Sequence, residues 1–505
     1  MKQISKSKFL NYLTCPKDAW LRIHRPDLPE FEISNSLQNI FDEGYEVEEY
    51  AKKLFPGFVE PKGSWNDSWN DVVAESSRLI AEQTQCIYQP TLVVNGFNMR
   101  SDFLKWNDVN EKWDLYEVKS GTSIKEPPEV RDHISDLAFQ TSVLLQLDLA
   151  VGKKYIVHIN NQYVREGAID CNKLFTIVDC TDKVNVRLEG IEDEMVAAKE
   201  YLSQKDEPTN GCNCHFKSRS NQCESFETSH SEIPDYSVHD ISYIGKKPEV
   251  LREWVKSGIY EFHQIPDPTI LSDKQQDQIR VHLTQKEEID IDKVREFCKS
   301  FTYPIYFVDY ESVHPAVPMF DGYSPYTQMV YLASVHYIKE KGGKLEHTEY
   351  LHPDATDPGP AVASFLSDTI DPEGTALVWN EGFEKPRNRE LGERYPEFQN
   401  IMERINNQVV DLATPFKDHD YIHPDFEGSW SVKAVLPVLA KHLSYDEIAM
   451  YQSDDIDTDS WLEMVDSSTT SKRKKELGSA LREYCKLDTL AMVEIWRALG
   501  RVVGE

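Results

Sequence analysis

At 505 residues the chain is too long for one ordinary hydrophobic core, so two or three domains are expected, each able to bury its own. Its 86 Asp+Glu against 55 Lys+Arg give a formal charge of -31 at pH 7, which argues against general adhesion to nucleic acid or anionic membrane and leaves room only for a local basic groove. Nine cysteines, scattered except for Cys212, Cys214 and Cys223, suit a reducing cytoplasm better than a disulfide framework, and the start MKQISKSKFLNYLTCPKDAW is too charged for a secretory signal or an anchor.

Three zones are predicted, 1–230, 231–300 and 301–505. The first opens with helical patterns at SKSKFLNYL and DEGYEVEEYAKKLF. Short alternating segments follow at TLVVNGFNMRSDFLKW and KWDLYEVKSG, then a helix over HISDLAFQTSVLLQLDLA and a strand at KKYIVHIN, which makes a mixed α/β pattern. The second zone holds short helical signals, PEVLREWVKSG and DKQQDQIRVHL, around a Pro-rich break, and reads as a helical connector. In the third, PIYFVDYES, QMVYLASVHYI and LEHTEYLHP resemble successive antiparallel strands, TALVWN is another strand, and helices fill the rest. Neither an internal repeat nor a window of membrane length is present, so no membrane partner is expected; the basic run SKRKK at 471–475 is one groove candidate whose plainer reading is a solvated surface.

In the first zone, Glu117 and Lys119 lie two apart on one strand and so point to one side, with Asp102 at hairpin distance upstream. Carboxylates for a metal plus an ammonium for a phosphate or a nucleophilic water form a hydrolytic set, whereas a bare Glu-x-Lys is more often a decorated edge strand. With Gln140 in the following helix, the pattern resembles PD-(D/E)XK nucleases, in particular RecB-like enzymes and the iron–sulfur nucleases of CRISPR adaptation. The resemblance implies Asp102, Glu117, Lys119 and Gln140 as catalytic, with Glu48 a further metal ligand and Glu46 its alternative. Leu144 stands where that family often has Tyr. The same branch carries one Cys in a Cys-Pro turn and three beyond the core, which here are Cys15, Cys212, Cys214 and Cys223. Four soft thiolates imply a [4Fe-4S] cluster, with tetrahedral Zn2+ as the alternative and His215 as a substitute ligand.

In the third zone, Asp309 and Glu311 again sit at i, i+2 on a strand, where two anions repel unless a cation lies between them. Asn380 and Glu384 are four apart after the strand TALVWN and are expected on one helix face, as are Tyr484 and Asp488 in LREYCKLDTLAMVEIWRAL. Three antiparallel strands followed by alternating helices and strands predict an RNase H-like sheet. This combination resembles the DnaQ-like DEDDy exonucleases: Asp309, Glu311, Glu384 and Asp488 match the family's metal-binding acids, and Tyr484 its catalytic tyrosine. Glu384 is a departure from the usual Asp, and Asp411 competes for that position or serves as a helix cap. Both sites imply Mg2+ or Mn2+, hard ions that favour carboxylate oxygens.

Together the two resemblances match a bacterial group in which a RecB-like nuclease precedes a DnaQ-like domain, a group that GSWSVKAVLPVLA at 428–440 also resembles. The expectation is therefore a multidomain α/β protein: a PD-(D/E)XK restriction-endonuclease-like domain, a helical connector and an RNase H-like 3'-5' exonuclease domain. It would be a cytoplasmic, metal-dependent nuclease of DNA in repair or defence, with RNA cleavage left open. The competing reading is a nucleic-acid-binding or assembly protein in which one or both sites are inactive.

Overall fold

The computed structural model describes residues 3–62, 69–441 and 460–504 and is a multidomain α/β chain with mixed sheets. It divides into two compact units. The first comprises 1–215, 221–232 and 315–326, and the second 216–220, 233–314 and 327–505. The connector zone from 233 onward thus folds with the C-terminal unit. No described helix is long and apolar enough to cross a membrane.

In the first unit, β1 (Ile4–Ser5) pairs with β4 (Phe97–Arg100), which forms a hairpin with β3 (Thr91–Val94). Asn95 and Gly96 turn that hairpin, both at positive φ, the residue pair such turns favour. The main sheet has the order β2 (Cys86–Tyr88), β5 (Phe103–Asn107), β6 (Lys112–Lys119), β7 (Val151–Ile159), β8 (Phe175–Asp179). Only β6 and β7 are parallel, and the crossover between them contains the helix His133–Gln146. Asp132 caps that helix by accepting from the Ser135 amide at 2.7 Å. Its almost unbroken apolar sequence is explained by burial on nearly every side, with Ile134, Leu137, Phe139 and Val143 in one core with Phe9, Leu115 and Met195.

In the second unit, 233–284 is no slack spacer. Helices Pro248–Lys256 and Asp273–Thr284 enclose a core of their own around Leu251, Trp254 and Phe262. A short pair, β9 (Glu288–Ile289) with β15 (Tyr421–Ile422), lies beside a five-stranded sheet. That sheet has the order β12 (Leu345–Leu351), β11 (Met329–Ile338), β10 (Ile305–Val313), β13 (Thr375–Val378), β14 (Val409–Asp411). The first three strands are antiparallel, and β10, β13 and β14 are parallel. Strand alternation gives β10 two cores: Ile305 and Phe307 pack with Met492, Ile495 and Leu499 of the long helix Ser471–Val503, while Tyr306, Val308 and Tyr310 pack with Val362 and Leu366 on the other face.

Candidate functional sites

Asp309 and Glu311 continue the Ile305 and Phe307 row of β10, so the pleat directs both acids to the side of the Ser471–Val503 helix. The register shifts between Glu311 and Ser312, a bulge that ends regular pairing just beyond the pair. On the helix, Tyr484 and Asp488 share a face, and the buried Cys485 between them places its Sγ 3.4 Å from Asp309 Oδ2. One donor atom from each of Asp309, Glu311 and Cys485 lies within 4.8 Å of the others.

Electrostatics join Glu384 and Asp488 to this group. Burial lifts the Asp309 carboxyl to about 6, against the hydrogen bonds from Cys485 and the Tyr310 amide. Burial and then the Asp309 charge lift Glu384 to about 9. Glu311 is raised by burial, Asp309 and Asp488; Asp488 is raised by burial and Asp309, with Lys433 pulling the other way. The Asp488 charge, followed by burial, raises the Tyr484 phenol, so Tyr484 stays protonated. Glu384 is 2 % exposed, and its Oε2 is buried with no hydrogen-bond partner among the described residues. Burial and neighbouring negative charge thus disfavour ionisation across this group of carboxylates, one of which has an orphaned oxygen.

One sequence expectation is corrected here. Asn380 does not share a helix face with Glu384: it stands before the helix Glu381–Arg394 in the left-handed region at φ 78. The reason is Asp411, whose Oδ1 accepts from the Asn380 amide at 3.0 Å and whose Oδ2 accepts from the Glu381 amide at 3.4 Å, so the helix begins after Asn380. Asp411 is also paired with Lys417 at 2.6 Å. It is therefore the cap of the helix that carries Glu384, and Glu384 is the acid that faces Asp309. The 471–475 run forms the exposed first turn of the long helix, with Arg473 tied to Glu463 at 2.8 Å, a solvated surface.

In the first unit the pairing of Phe103 with Tyr116 brings Asp102, just before β5, opposite the end of β6, and the Val118 amide donates to Asp102 Oδ2 at 2.6 Å. Lys119 Nζ lies 2.7 Å from Glu117 Oε1, and Gln140 Nε2 donates to Glu117 Oε2 at 2.7 Å. Two further residues, not singled out from sequence, close the cluster. Asp136 accepts from Lys119 at 2.6 Å and from Gln140 at 2.8 Å, and Lys6 Nζ reaches Glu117 Oε1 at 2.6 Å. Asp136 sits four residues before Gln140 on the same helix face, a spacing that could have revealed it. Lys6 carried no such signal, since only the pairing of β1 with β4 brings it in.

Burial opposes the Lys119 and Lys6 charges, but Asp136 and Glu117 outweigh it and hold both ammonium groups protonated. Burial likewise pushes Asp136 up, and Lys119 and Lys6 win, leaving it below the usual carboxylate range. Asp102 is raised by burial and by the Glu117 charge, with Glu48 adding to the effect. Glu48 accepts from Gln89 at 2.9 Å and is half-buried, whereas Glu46 is exposed. Leu144 is fully buried in the core, which gives that position a packing role.

The four cysteines assemble from both ends of the first unit. Cys15 ends the helix Lys6–Thr14, and Pro16, first residue of Pro16–His24, holds it extended at φ -155. Gly211, at φ 95, precedes Cys212; a Cβ there would run into the Tyr201 ring, so the turn that delivers Cys212 needs glycine. The Sγ atoms of Cys15, Cys212, Cys214 and Cys223 all lie within 4.8 Å of one another, with Cys212 and Cys223 3.7 Å apart. Hydrogen bonding from Cys15 brings the Cys214 thiol down to about 7. His215 Nδ1 contacts the Cys212 carbonyl at 3.0 Å, and the four thiols form the group whose donor atoms lie together. A tetrahedron around one ion at a Zn–S distance of about 2.3 Å has edges of about 3.8 Å, so the spacing fits Zn2+, and four thiolates equally suit an iron–sulfur cluster in donor chemistry.

No curated protein matches the chain. Residues 306–431, which include Asp309, Glu311, Glu384 and Asp411, match the model of a domain of unknown function, DUF2779.

Proposed function

We propose that the chain is a metal-dependent nuclease that hydrolyses phosphodiester bonds of DNA, with a PD-(D/E)XK-like site in the first unit and a DnaQ-like DEDDy site in the second. The observation that carries the reading is the convergence of Asp309, Glu311, Glu384 and Asp488 with a protonated Tyr484. Sheet order supports it: three antiparallel strands, then two parallel ones on the other side of the first, as expected of an RNase H-like domain. In the first unit, Asp102, Glu117 and Lys119 at adjoining strand ends with Gln140 on the crossover helix support a PD-(D/E)XK-like fold.

In the second unit Asp309, Glu311, Glu384 and Asp488 would hold Mg2+ or Mn2+, and the orphaned Glu384 Oε2 fits such a ligand. Bound there, the ions neutralise phosphate charge and lower the pKa of water. Tyr484 donates a hydrogen bond that orients the attacking water, and Cys485 fixes the Asp309 carboxylate. In the first unit the ammonium groups of Lys119 and Lys6 oppose the negative charge that grows on a phosphate under attack, while Gln140 fixes Glu117.

A second reading is favoured by one contrast. Lys6 and Lys119 already compensate Glu117 and Asp136, so the first-unit cluster is stable without a cation, and a structural role there with catalysis confined to the second unit fits as well. The test is cleavage of end-labelled single- and double-stranded DNA and RNA with Mg2+, Mn2+ or EDTA. Wild type should cut only with a divalent ion, Asp309→Asn should lose one activity, and Lys119→Ala a different one. An unchanged product pattern in Lys119→Ala would leave the second unit as the sole nuclease. Failure of wild type to cut any of the four substrates would refute the proposal.

A further inference from the structure

We infer that the second unit carries a binding groove for the backbone of single-stranded nucleic acid, separate from the acidic cluster and faced by Tyr243 and Trp430 between Lys246, Lys247, Lys274 and Lys417. The choice of polymer rests on the nuclease reading; the groove itself rests on its own chemistry.

The groove is a cavity of ≈ 980 Å3 whose lining holds those four lysines against one acid, Asp273; Lys274 pairs with Asp418 at 3.1 Å and Lys417 with Asp411 at 2.6 Å, so among the described residues Lys246 and Lys247 carry its uncompensated positive charge. In a chain where acids outnumber Lys+Arg by 86 to 55, such a local reversal of charge is the footprint expected for a polyanion. Neither Lys246 nor Lys247 has a carboxylate within ion-pair reach among the described residues; Lys247 donates only to the Ile270 carbonyl at 2.6 Å. The positive end of the helix Asp273–Thr284 opens at the same place.

Each aromatic ring has an ammonium over its face. Lys246 Nζ is 4.8 Å from the Tyr243 ring centre, and Lys417 Nζ is 4.2 Å from that of Trp430. Tyr243 is 70 % exposed and is held at φ 58, a left-handed conformation that a tyrosine rarely adopts. An exposed ring beside a cation offers a face on which a base stacks while the adjoining phosphate meets the lysine. Duplex bases are already stacked inside the helix and cannot use such a face, so the arrangement selects single strands.

The groove also has a connection to the acidic cluster. Lys417 lines it and pairs with Asp411, the cap of the helix that bears Glu384. A strand bound across Lys246 and Lys274 is therefore led toward the carboxylates.

Binding of a fluorescein-labelled oligo(dT) to the full chain in EDTA, followed by anisotropy over a range of NaCl concentrations, tests this. Lys246→Gln with Lys247→Gln should weaken binding about tenfold and reduce the salt slope by about 1.4, roughly 0.7 per lost phosphate contact. Tyr243→Ala should weaken it roughly tenfold with the slope unchanged, because stacking releases no counterions. Lys246→Gln alone, which removes no internal hydrogen bond, guards against a folding artefact, and thermal melts check all variants. Unchanged affinity and slope in these variants, no oligo(dT) binding by wild type, or displacement by poly-glutamate as readily as by unlabelled oligo(dT) would overturn the groove. Groove-dependent binding without cleavage under Mg2+ or Mn2+ would sink the nuclease reading alone, and cleavage with variant-insensitive binding would sink the groove alone.

Discussion

Asp309→Asn should stabilise the metal-free protein at neutral pH and remove its response to Mn2+. Burial raises the Asp309 carboxyl from the ordinary 3.8 to about 6. Between those values the folded state keeps a proton that the unfolded chain has released, so stability falls as pH rises through this window and stays lower above it. At about 1.4 kcal/mol per unit, a shift of about 2 units costs roughly 3 kcal/mol above pH 6. Asparagine removes that cost, retains an acceptor for the Cys485 thiol and changes little in volume. A gain of about 2–3 kcal/mol corresponds to roughly 5 °C or more in the transition of a unit this size. Calorimetry of the full chain in EDTA at pH 4 and pH 7.5 should therefore find wild type and variant alike at pH 4 and the variant higher at pH 7.5. Added Mn2+ at about one hundred times its Kd should raise the wild-type transition by about 2.7 kcal/mol through mass action, and much less in the variant. Equal melting of the two proteins at pH 7.5 in EDTA, together with equal Mn2+ responses, would refute both the burial cost of the Asp309 charge and the cation site.

Cys15→Ser should leave three thiolates and release the metal; anaerobically purified wild type should be brown with thiolate-to-iron absorbance if the site holds a cluster, and colourless with stoichiometric zinc if it holds one ion, and absence of both metals would refute the site. Asp411→Ala should cost about 1–2 kcal/mol by uncapping the Glu381–Arg394 helix and stranding Lys417, read as a lower melting temperature, and an unchanged melt would refute its capping role.

Much of the candidate chemistry was legible because it depends on short repeats of backbone geometry. The i, i+2 rule placed Asp309 with Glu311 and Glu117 with Lys119, and the i, i+4 rule placed Tyr484 with Asp488. The same rule failed for Asn380 because spacing does not say where a helix starts. That boundary was set by Asp411, which comes from another strand and takes the two amides at the helix entrance. Lys6 was illegible for a related reason: it contacts Glu117 across 111 positions, through a strand pairing only two residues long. The basic groove was hidden too, since its lysines come from three separated stretches around 246, 274 and 417, and the contiguous run at 471–475 drew attention instead.

The two acidic clusters use similar residues and solve their electrostatics differently. Around Glu117 and Asp136 two lysines supply the compensating charge in a network of ion pairs. Around Asp309 the carboxyls face one another with Lys433 as the opposing cation on Asp488, and the group settles by holding protons. On the proposed reading, a divalent ion entering the second site would displace those protons and gain several ligands at once, while one entering the first would compete with ammonium groups already in place. Divalent-ion affinity should therefore rise steeply with pH in the second unit, as Asp309 and Glu384 lose their protons. That difference in compensating charge follows from where the lysines fall in the fold, and under the proposed function it would make the second site the more dependent on metal.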